Sequence, residues 1–152
     1  MFSYIAQGHN VIKTVRKATT GAGVLAAAIC APQMASAANT KLTLSNGGTI
    51  TYYYNVPLIS KSTAVTSAVI SIHGTDRDAG NYDKWMATAA SKAGVTGSTI
   101  IVTPQFAGSG SGAAMYWSDS GWKYGDNANS SKVMSSFAVI DEIVKKLSDK
   151  TL

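Results

Sequence analysis

Two runs of apolar residues, with a helix-length segment between them, most constrain the fold of this 152-residue chain. AVISI at residues 68–72 and TIIVTPQF at residues 99–106 do not alternate polar with apolar side chains. Strands of that kind are buried on both faces, as in a sheet that helices cover on both sides. A strand, a helix and a strand of these lengths form a βαβ unit, so we expect the two strands to be parallel.

The segment between the two runs predicts a helix from its apolar periodicity. One apolar face of this helix is predicted to hold Tyr82, Trp85 or Met86, Ala89 and Ala93. Asn81 is a candidate N-cap, and Gly94 is a candidate stop.

A β-hairpin is predicted ahead of the βαβ unit. KLTLS at residues 41–45 and TITYYYNVP at residues 49–57 both alternate, and the second run is rich in β-branched and aromatic residues. Asn46-Gly47 between them is the strongest short hairpin signal, because a tight turn needs positive φ.

A second helix is predicted near the end of the chain, with an apolar face formed by Val133, Phe137, Ile140, Val144 and Leu147. Ser130 or Ser131 is its candidate N-cap. A helix in this place should cross back over the sheet and lead to another parallel strand. The sequence reaches Leu152 before such a strand, so we expect the chain to be the N-terminal part of a longer sheet.

The first 37 residues have the three-part pattern of a secretory signal peptide. A basic stretch with Lys13, Arg16 and Lys17 precedes the apolar run GAGVLAAAIC, and PQMASA then ends at Ala37. The apolar run is shorter than the roughly 20 residues of a membrane span. A membrane-anchored tail or a disordered basic leader is the weaker alternative. We therefore expect residues 38–152 to be secreted or periplasmic, with no membrane contact after cleavage.

Composition excludes several classes of function. The net charge of +5 comes largely from the leader, because three of the 13 basic residues and none of the eight acidic residues precede residue 38. The charge therefore does not indicate nucleic-acid binding. The single cysteine, Cys30, lies in the leader, so no disulfide framework is predicted. No nicotinamide, flavin, phosphate-loop or zinc motif is present, so we expect no cofactor and no metal.

Residues 107–129 form a loop of more than 20 residues that is rich in glycine and serine. Loops of this length in compact domains are usually functional or disordered. It carries Tyr116, Trp117, Trp122 and Tyr124, too many aromatic residues for a plain linker. We predict an ordered, substrate-contacting loop near a site. The alternative is that these rings cover the edge of the core.

The chain resembles the front half of a secreted α/β-hydrolase of esterase type, among the relatives of polyester depolymerases and feruloyl esterases. The resemblance rests on the order of the elements and on three motifs: HGTDRDAGNYDKWM, VTPQF and GWKYGDNA. It implies an incomplete α/β-hydrolase fold, in which a β-hairpin is followed by a βαβα unit with parallel strands. It also implies that the full-length protein acts on an ester or polymer substrate.

The resemblance assigns an oxyanion loop to His73, Gly74, Thr75 and Asp76. In this family the loop after the third strand supplies one main-chain N–H to the oxyanion hole. The donor would be the N–H of Thr75 or Asp76, while His73 and Gly74 would shape the turn. His73 would not be the catalytic base, because the family's base lies downstream of the nucleophile. The alternative is that His73 only caps a strand end and fills a polar pocket.

The catalytic triad of the family is absent from this sequence. GSGSG at residues 108–112 does not fit G-x-S-x-G, and Ser118 and Ser120 lack the flanking glycines. His73 is the only histidine after the leader. We therefore expect the chain to be inactive alone, and to be marginally stable or dependent on a partner because a sheet edge is left open. The alternative function is a small secreted carbohydrate- or polymer-binding module that uses the aromatic loop.

The remaining charged residues are assigned structural roles. Asp76, Arg77 and Asp78 are expected to form a solvated, self-paired turn, with metal binding as the weaker alternative. Asp126 and Asn127 are expected to brace a loop or to form the lead-in to the second helix. Asp141 and Glu142 are expected to face solvent.

Overall fold

The computed structural model describes residues 6–7, 10–11, 38–56, 58 and 64–149. The chain divides into two units, Met1–Ala31 and Pro32–Leu152, and each is described by itself. In the first unit, strands β1 (Ala6–Gln7) and β2 (Asn10–Val11) pair antiparallel. The signal peptide predicted over residues 1–37 lies, apart from these two short strands, outside the described residues and stays a prediction.

The second unit contains a mixed four-stranded sheet. Its strands are β3 (Ala38–Thr43), β4 (Thr49–Tyr54), β5 (Ser67–Ile70) and β6 (Thr99–Pro104), in the order β3-β4-β6-β5. The predicted hairpin is confirmed, because β3 and β4 pair antiparallel. The predicted parallel pair is also confirmed, because β5 and β6 run parallel. Strand β4 joins the two pairs by lying antiparallel to β6.

The hairpin turn differs in detail from the prediction. The Gly47 N–H donates to the Leu44 carbonyl over 2.9 Å, and the Leu44 N–H donates to the Gly48 carbonyl over 2.8 Å. Gly47 has a φ of +76°, whereas Asn46 does not enter the left-handed region. The loop therefore contains three residues and places only the glycine at positive φ, as longer hairpin loops do.

The two parallel strands differ in burial. All six residues of β6 are buried, as its unbroken apolar sequence predicts. The same expectation for residues 68–72 is wrong, because Ser67 and Ala68 are exposed and Ile72 is 41% exposed. The reason is position in the sheet. Strand β6 lies between two strands, whereas β5 has a neighbour on one side only among the described residues.

Helix α1 (Ala79–Lys92) forms between β5 and β6 as predicted, but its cap and its buried face are different. Asp78, and not Asn81, is the N-cap, and it accepts a hydrogen bond from the Asn81 N–H. Gly94 follows the helix with a φ of +72°, which confirms it as the stop. The buried residues are Ala79, Asp83 and Ala90, while Trp85 of the predicted face is 61% exposed.

Asp83 is the physical reason for that error. Its carboxyl group is buried against β6 and accepts a hydrogen bond from the Thr103 hydroxyl over 3.2 Å. Burial raises the pKa of Asp83 above its ordinary value of 3.8, and the hydrogen bond from Thr103 partly opposes that shift. The periodicity of apolar residues does not identify the buried face of α1, because that face contains the ionisable side chain of Asp83.

Helix α2 (Ser136–Ser148) is also confirmed, with Ser135 as its N-cap in place of Ser130 or Ser131. Its buried residues are Ser136, Val139, Ile143 and Leu147. The predicted face is mostly wrong, since Val133, Phe137 and Val144 are 60%, 57% and 46% exposed. The helix carries two apolar stripes, and the sequence alone does not say which one meets the sheet. Glu142 does not face solvent freely either, because its carboxylate accepts hydrogen bonds from the Ser45 N–H and hydroxyl.

The two helices lie on opposite faces of the sheet. Successive residues of a strand point to opposite faces. Gly80 of α1 packs against the Tyr53 ring, whereas Val139 and Ile143 of α2 belong to the cluster that contains Tyr52. The second unit is thus a layered α/β structure, in agreement with the predicted fold class at this level.

We expect the corrected face of α2 to appear in measurements of stability. Val139→Ala removes two buried methyl groups and should lower the free energy of unfolding by about 2 kcal/mol. Val144→Ala makes the same chemical change on the exposed stripe and should alter it by less than about 0.5 kcal/mol. Urea unfolding followed by circular dichroism measures both, and equal losses would contradict the assignment of the buried face.

Candidate functional site

The carboxyl ends of β5 and β6 define the candidate site. The chain leaves β5 towards α1 on one face of the sheet and leaves β6 towards α2 on the other. In α/β sheets, ligands bind in the crevice outside the carboxyl ends of strands where the connections diverge in this way. The segment that contains His73, Gly74, Thr75 and Asp76 follows β5 directly and therefore lies at this crevice.

His73 is 3% exposed, and both of its ring nitrogens are engaged by the main chain. Its Nε2 accepts a hydrogen bond from the Phe106 N–H over 3.0 Å, so the ring proton resides on Nδ1. That nitrogen donates to the Gly74 carbonyl over 2.9 Å. The ring also packs against the ring of Trp122 at 4.6 Å between centroids. His73 is thereby held neutral and joins the loop after β5 to the end of β6.

The environment of His73 favours the neutral imidazole. Burial lowers the pKa of His73 below its ordinary value of 6.5, and the nearby charge of Arg77 acts in the same direction. The hydrogen bond to Gly74 raises the pKa, but its effect is smaller than that of burial.

Residues 74–77 form a tight turn, which we call the 74–77 turn. The Arg77 N–H donates to the Gly74 carbonyl over 3.0 Å. A side chain at position 74 would collide with Tyr82, since an added Cβ would lie 2.7 Å from the Tyr82 hydroxyl oxygen. Thr75 and Asp76 are exposed at the centre of the turn. Within the described part of the chain, neither of their main-chain N–H groups has a hydrogen-bond acceptor.

Arg77 holds the 74–77 turn against the segment that follows β6. Its guanidinium group donates to the carbonyl oxygens of Phe106, over 3.0 Å, and Trp117, over 2.6 Å, and also to that of Asp119. The expectation that Arg77 pairs with its neighbouring carboxylates is therefore wrong. Asp78 caps α1 instead.

The aromatic loop is ordered and divides into buried and exposed rings. Trp117 is fully buried and Trp122 is 6% exposed, and both pack against Phe106 in the core cluster. Tyr116 is half-buried, and Tyr124 is 74% exposed. The two tryptophan rings thus cover the core, as the alternative for this loop proposes. Substrate contact stays a prediction, and it concerns Tyr124 most directly.

The loop is braced through the main chain of Asp126, as expected for this polar pair. The Asp126 carbonyl accepts hydrogen bonds from the Trp117 indole N–H, over 2.8 Å, and from the Ser136 N–H, over 3.1 Å. Asn127 pairs with Ser135 in an isolated bridge.

Three residues at the site were missed by sequence reasoning. Lys123 donates from its ammonium group to the Thr75 hydroxyl over 2.9 Å. The Gln105 side chain donates to the Arg77 carbonyl over 2.6 Å and accepts from the Ala79 N–H over 3.3 Å. The Phe106 main chain donates a hydrogen bond to His73 and accepts one from Arg77. The sequence offered a signal for one of these residues only. Lys123 is a cation that directly follows a tryptophan, Trp122.

The described residues contain a cavity but no cluster of metal ligands. No group of three or more His, Cys, Asp or Glu side chains there is arranged to hold a metal ion. A cavity of about 370 Å³ lies away from the 74–77 turn and is lined by Thr43, Leu44, Ser45, Glu142, Lys145, Lys146 and Asp149.

Comparison with known proteins gives no relative of this chain. No family model, no curated protein and no solved structure matches it. Among the described residues, no helix has both the length and the apolar character needed to cross a membrane.

We expect His73 to make stability depend on pH near neutrality. The lowered pKa means that the unfolded chain takes up a proton before the folded chain does, so the stability contributed by the neutral ring is present above about pH 6.5 and is lost as the pH falls below it. His73→Gln keeps an acceptor for the Phe106 N–H but does not titrate.

Thermal unfolding of both proteins at about pH 7.5 and pH 5.5 provides the measurement. On acidification, the melting temperature of the unsubstituted chain should fall further than that of the glutamine variant. Parallel losses in the two proteins would show that His73 is not held neutral by the fold.

Proposed function

We propose that this chain is the front half of a secreted serine hydrolase that cleaves carboxylic esters, and that it supplies the oxyanion loop. The observation that carries the proposal is the pair of exposed N–H groups at Thr75 and Asp76. They lie at the carboxyl end of a parallel strand and have no acceptor in the described part of the chain. Fixed donors of this kind stabilise the negative charge that develops on a carbonyl oxygen under attack.

The order of the elements supports the proposal. An antiparallel hairpin precedes a βαβ unit, and the 74–77 turn connects the third strand of the sheet to its first helix. An α/β-hydrolase takes one of its oxyanion donors from this connection. The absence of a side chain on Gly74 lets the Tyr82 hydroxyl pack directly against the turn that carries the two N–H groups.

The catalytic serine, acid and base would come from residues outside this sequence. The Ser118 hydroxyl lies in the aromatic loop and bonds to the Asn129 side chain, so it is not on a strand-to-helix turn. His73 is also unsuited to act as the base, since both of its ring nitrogens are engaged by the main chain. On this proposal the chain contributes electrostatic stabilisation and is inactive alone.

The positions of the helices support a sheet that continues beyond β5. A strand–helix–strand crossover between parallel strands is right-handed in nearly all proteins. The connection through α1 moves from β5 to β6, and α2 lies on the opposite face. A crossover through α2 must therefore move back past β5 and add its strand at the outer edge of β5. The exposed Ile72 beside this edge and the exposed stripe of α2 fit such an addition.

The alternative, a module that binds carbohydrates or polymers through the aromatic loop, has narrower support. Stacking on a sugar or polymer needs exposed ring faces. Of the four aromatic residues in the loop, only Tyr124 is largely exposed.

The proposal is tested on the extended protein. Reading the coding DNA past the Leu152 codon in all three forward frames should reveal a strand followed by G-x-S-x-G, with Asp and His further on. That extended chain should hydrolyse p-nitrophenyl acetate, and residues 38–152 alone should not. A folded, extended chain without esterase activity would contradict the proposal, and so would the absence of such a frame.

The oxyanion role is tested by removing each donor separately. Proline is favoured at the second position of a β-turn, so Thr75→Pro removes the N–H while suiting the 74–77 turn. In the extended enzyme it should lower kcat by about 10²- to 10³-fold if Thr75 is the donor. Thr75→Ala keeps the N–H and removes the hydroxyl together with its hydrogen bond from Lys123, so its loss of kcat should be much smaller than that of Thr75→Pro.

Asp76→Pro removes the second donor but places proline at the third position of the turn, where it is disfavoured. A loss of kcat there therefore counts only if circular dichroism shows an intact fold. Asp76→Ala keeps the N–H and is its control. Full kcat in both proline variants would contradict the assignment of this turn to the oxyanion hole.

A further inference from the structure

Arg77 adopts a main-chain conformation that favours glycine. Its φ is +54°, and it is the one residue other than glycine with positive φ in the described part of the chain. Side chains other than those of Asn and Asp rarely adopt this conformation, because Cβ crowds the main chain. An arginine in such a position indicates that its side chain makes contacts a glycine could not replace. Strained residues of this kind cluster at functional sites.

The contacts of Arg77 are all made to main-chain groups or to one amide. Nη1 donates to the carbonyl oxygens of Phe106 and Trp117, and Nη2 donates to that of Asp119. The main chain of Arg77 is fixed as well, since its N–H bonds to Gly74 and its carbonyl accepts from the Gln105 side chain. One residue therefore joins the 74–77 turn to the end of β6 and to the aromatic loop.

The geometry of these contacts requires a guanidinium group. Two terminal nitrogens in one plane reach three carbonyl oxygens, one at the end of β6 and two in the aromatic loop. Lysine carries the same charge, but its ammonium group is a single point on a flexible stem. The contacts thus use the planar fork of arginine in addition to its charge.

We propose that Arg77 is a positioning residue that fixes the direction of the Thr75 and Asp76 N–H groups by holding the 74–77 turn on the carbonyls of Phe106, Trp117 and Asp119. This inference rests on the proposed function in one respect only, since oriented donors matter for ester cleavage. The positioning itself is a property of the folded chain and can be measured without a substrate.

The test uses ¹⁵N relaxation of the full chain. Thr75 and Asp76 should have order parameters near 0.85, the value of rigid main chain, although their N–H groups are exposed and unbonded. Arg77→Gly relieves the backbone conformation but removes the guanidinium group, and both order parameters should fall below about 0.6. Arg77→Lys keeps the charge and should give the same loss.

Val139→Ala is the matched control. It destabilises the fold at a site on the opposite face of the sheet from α1 and should leave the order parameters of Thr75 and Asp76 unchanged. An equal fall in this control would show that the effect follows from lost stability, and it would overturn the proposal. Unchanged order parameters in both Arg77 variants would also overturn it.

Two further measurements support the test, and the first needs no variant. In the unsubstituted chain, restrained rotation should give separate signals for the two terminal nitrogens of Arg77, and a single averaged signal would contradict the proposed contacts. Low, non-denaturing guanidinium chloride should restore the order parameters in Arg77→Gly, because the free ion can occupy the vacated donor positions. Loss of order in the variants together with an inactive extended enzyme would contradict the proposed function and leave the positioning role intact.

Discussion

The main-chain N–H and carbonyl groups of Phe106 form hydrogen bonds to His73 and Arg77, the two ends of the loop that follows β5. His73 accepts a hydrogen bond from the Phe106 N–H, and Arg77 donates one to the Phe106 carbonyl, each over 3.0 Å. The place where β6 ends therefore determines where the 74–77 turn lies. Strand β6 is suited to this role because all six of its residues are buried, between β4 on one side and β5 on the other. The most buried strand of the sheet thus fixes the position of a turn on the surface.

The His73 ring and the Arg77 guanidinium group, which fix the turn, form their hydrogen bonds with main-chain groups and not with oppositely charged side chains. A buried histidine that is bonded at both nitrogens stays neutral, and an arginine bonded to carbonyl oxygens leaves its charge without a carboxylate partner at the contact. Positive charge from Arg77 and from Lys123, which bonds to Thr75, therefore lies close to the unbonded N–H groups. The carboxylates of Asp76 and Asp78 belong to the same segment and balance these two charges formally, so the proposed stabilisation of an oxyanion rests on the N–H groups themselves.

Periodicity and turn chemistry predicted the order of the elements, because the hairpin, the parallel pair and both helices depend on local patterns. They failed where a distant contact decided the outcome. The buried face of α1 contains Asp83, whose partner Thr103 is 20 residues away. Helix α2 has two apolar stripes, and only the packed sheet selects one. The carbonyls that Arg77 contacts lie 29, 40 and 42 residues along the chain. A main-chain carbonyl is present in every residue, so no side-chain pattern marks those that will meet a guanidinium group.

In the proposed function, the outer edge of β5, which has no partner strand among the described residues, relates the site to the catalytic residues. Neighbouring strands lie about 4.8 Å apart, and the carboxyl ends of parallel strands meet at one edge of the sheet. A strand added beside β5 would end next to the 74–77 turn, and a nucleophile on the turn after it would lie within reach of a substrate carbonyl bound to the Thr75 and Asp76 N–H groups. The placement of α2 on the face opposite α1 would direct the further strand of the proposal to this edge. Ile72, Phe137 and Val144 expose apolar side chains that the longer sheet of the proposal, with its helices, would cover.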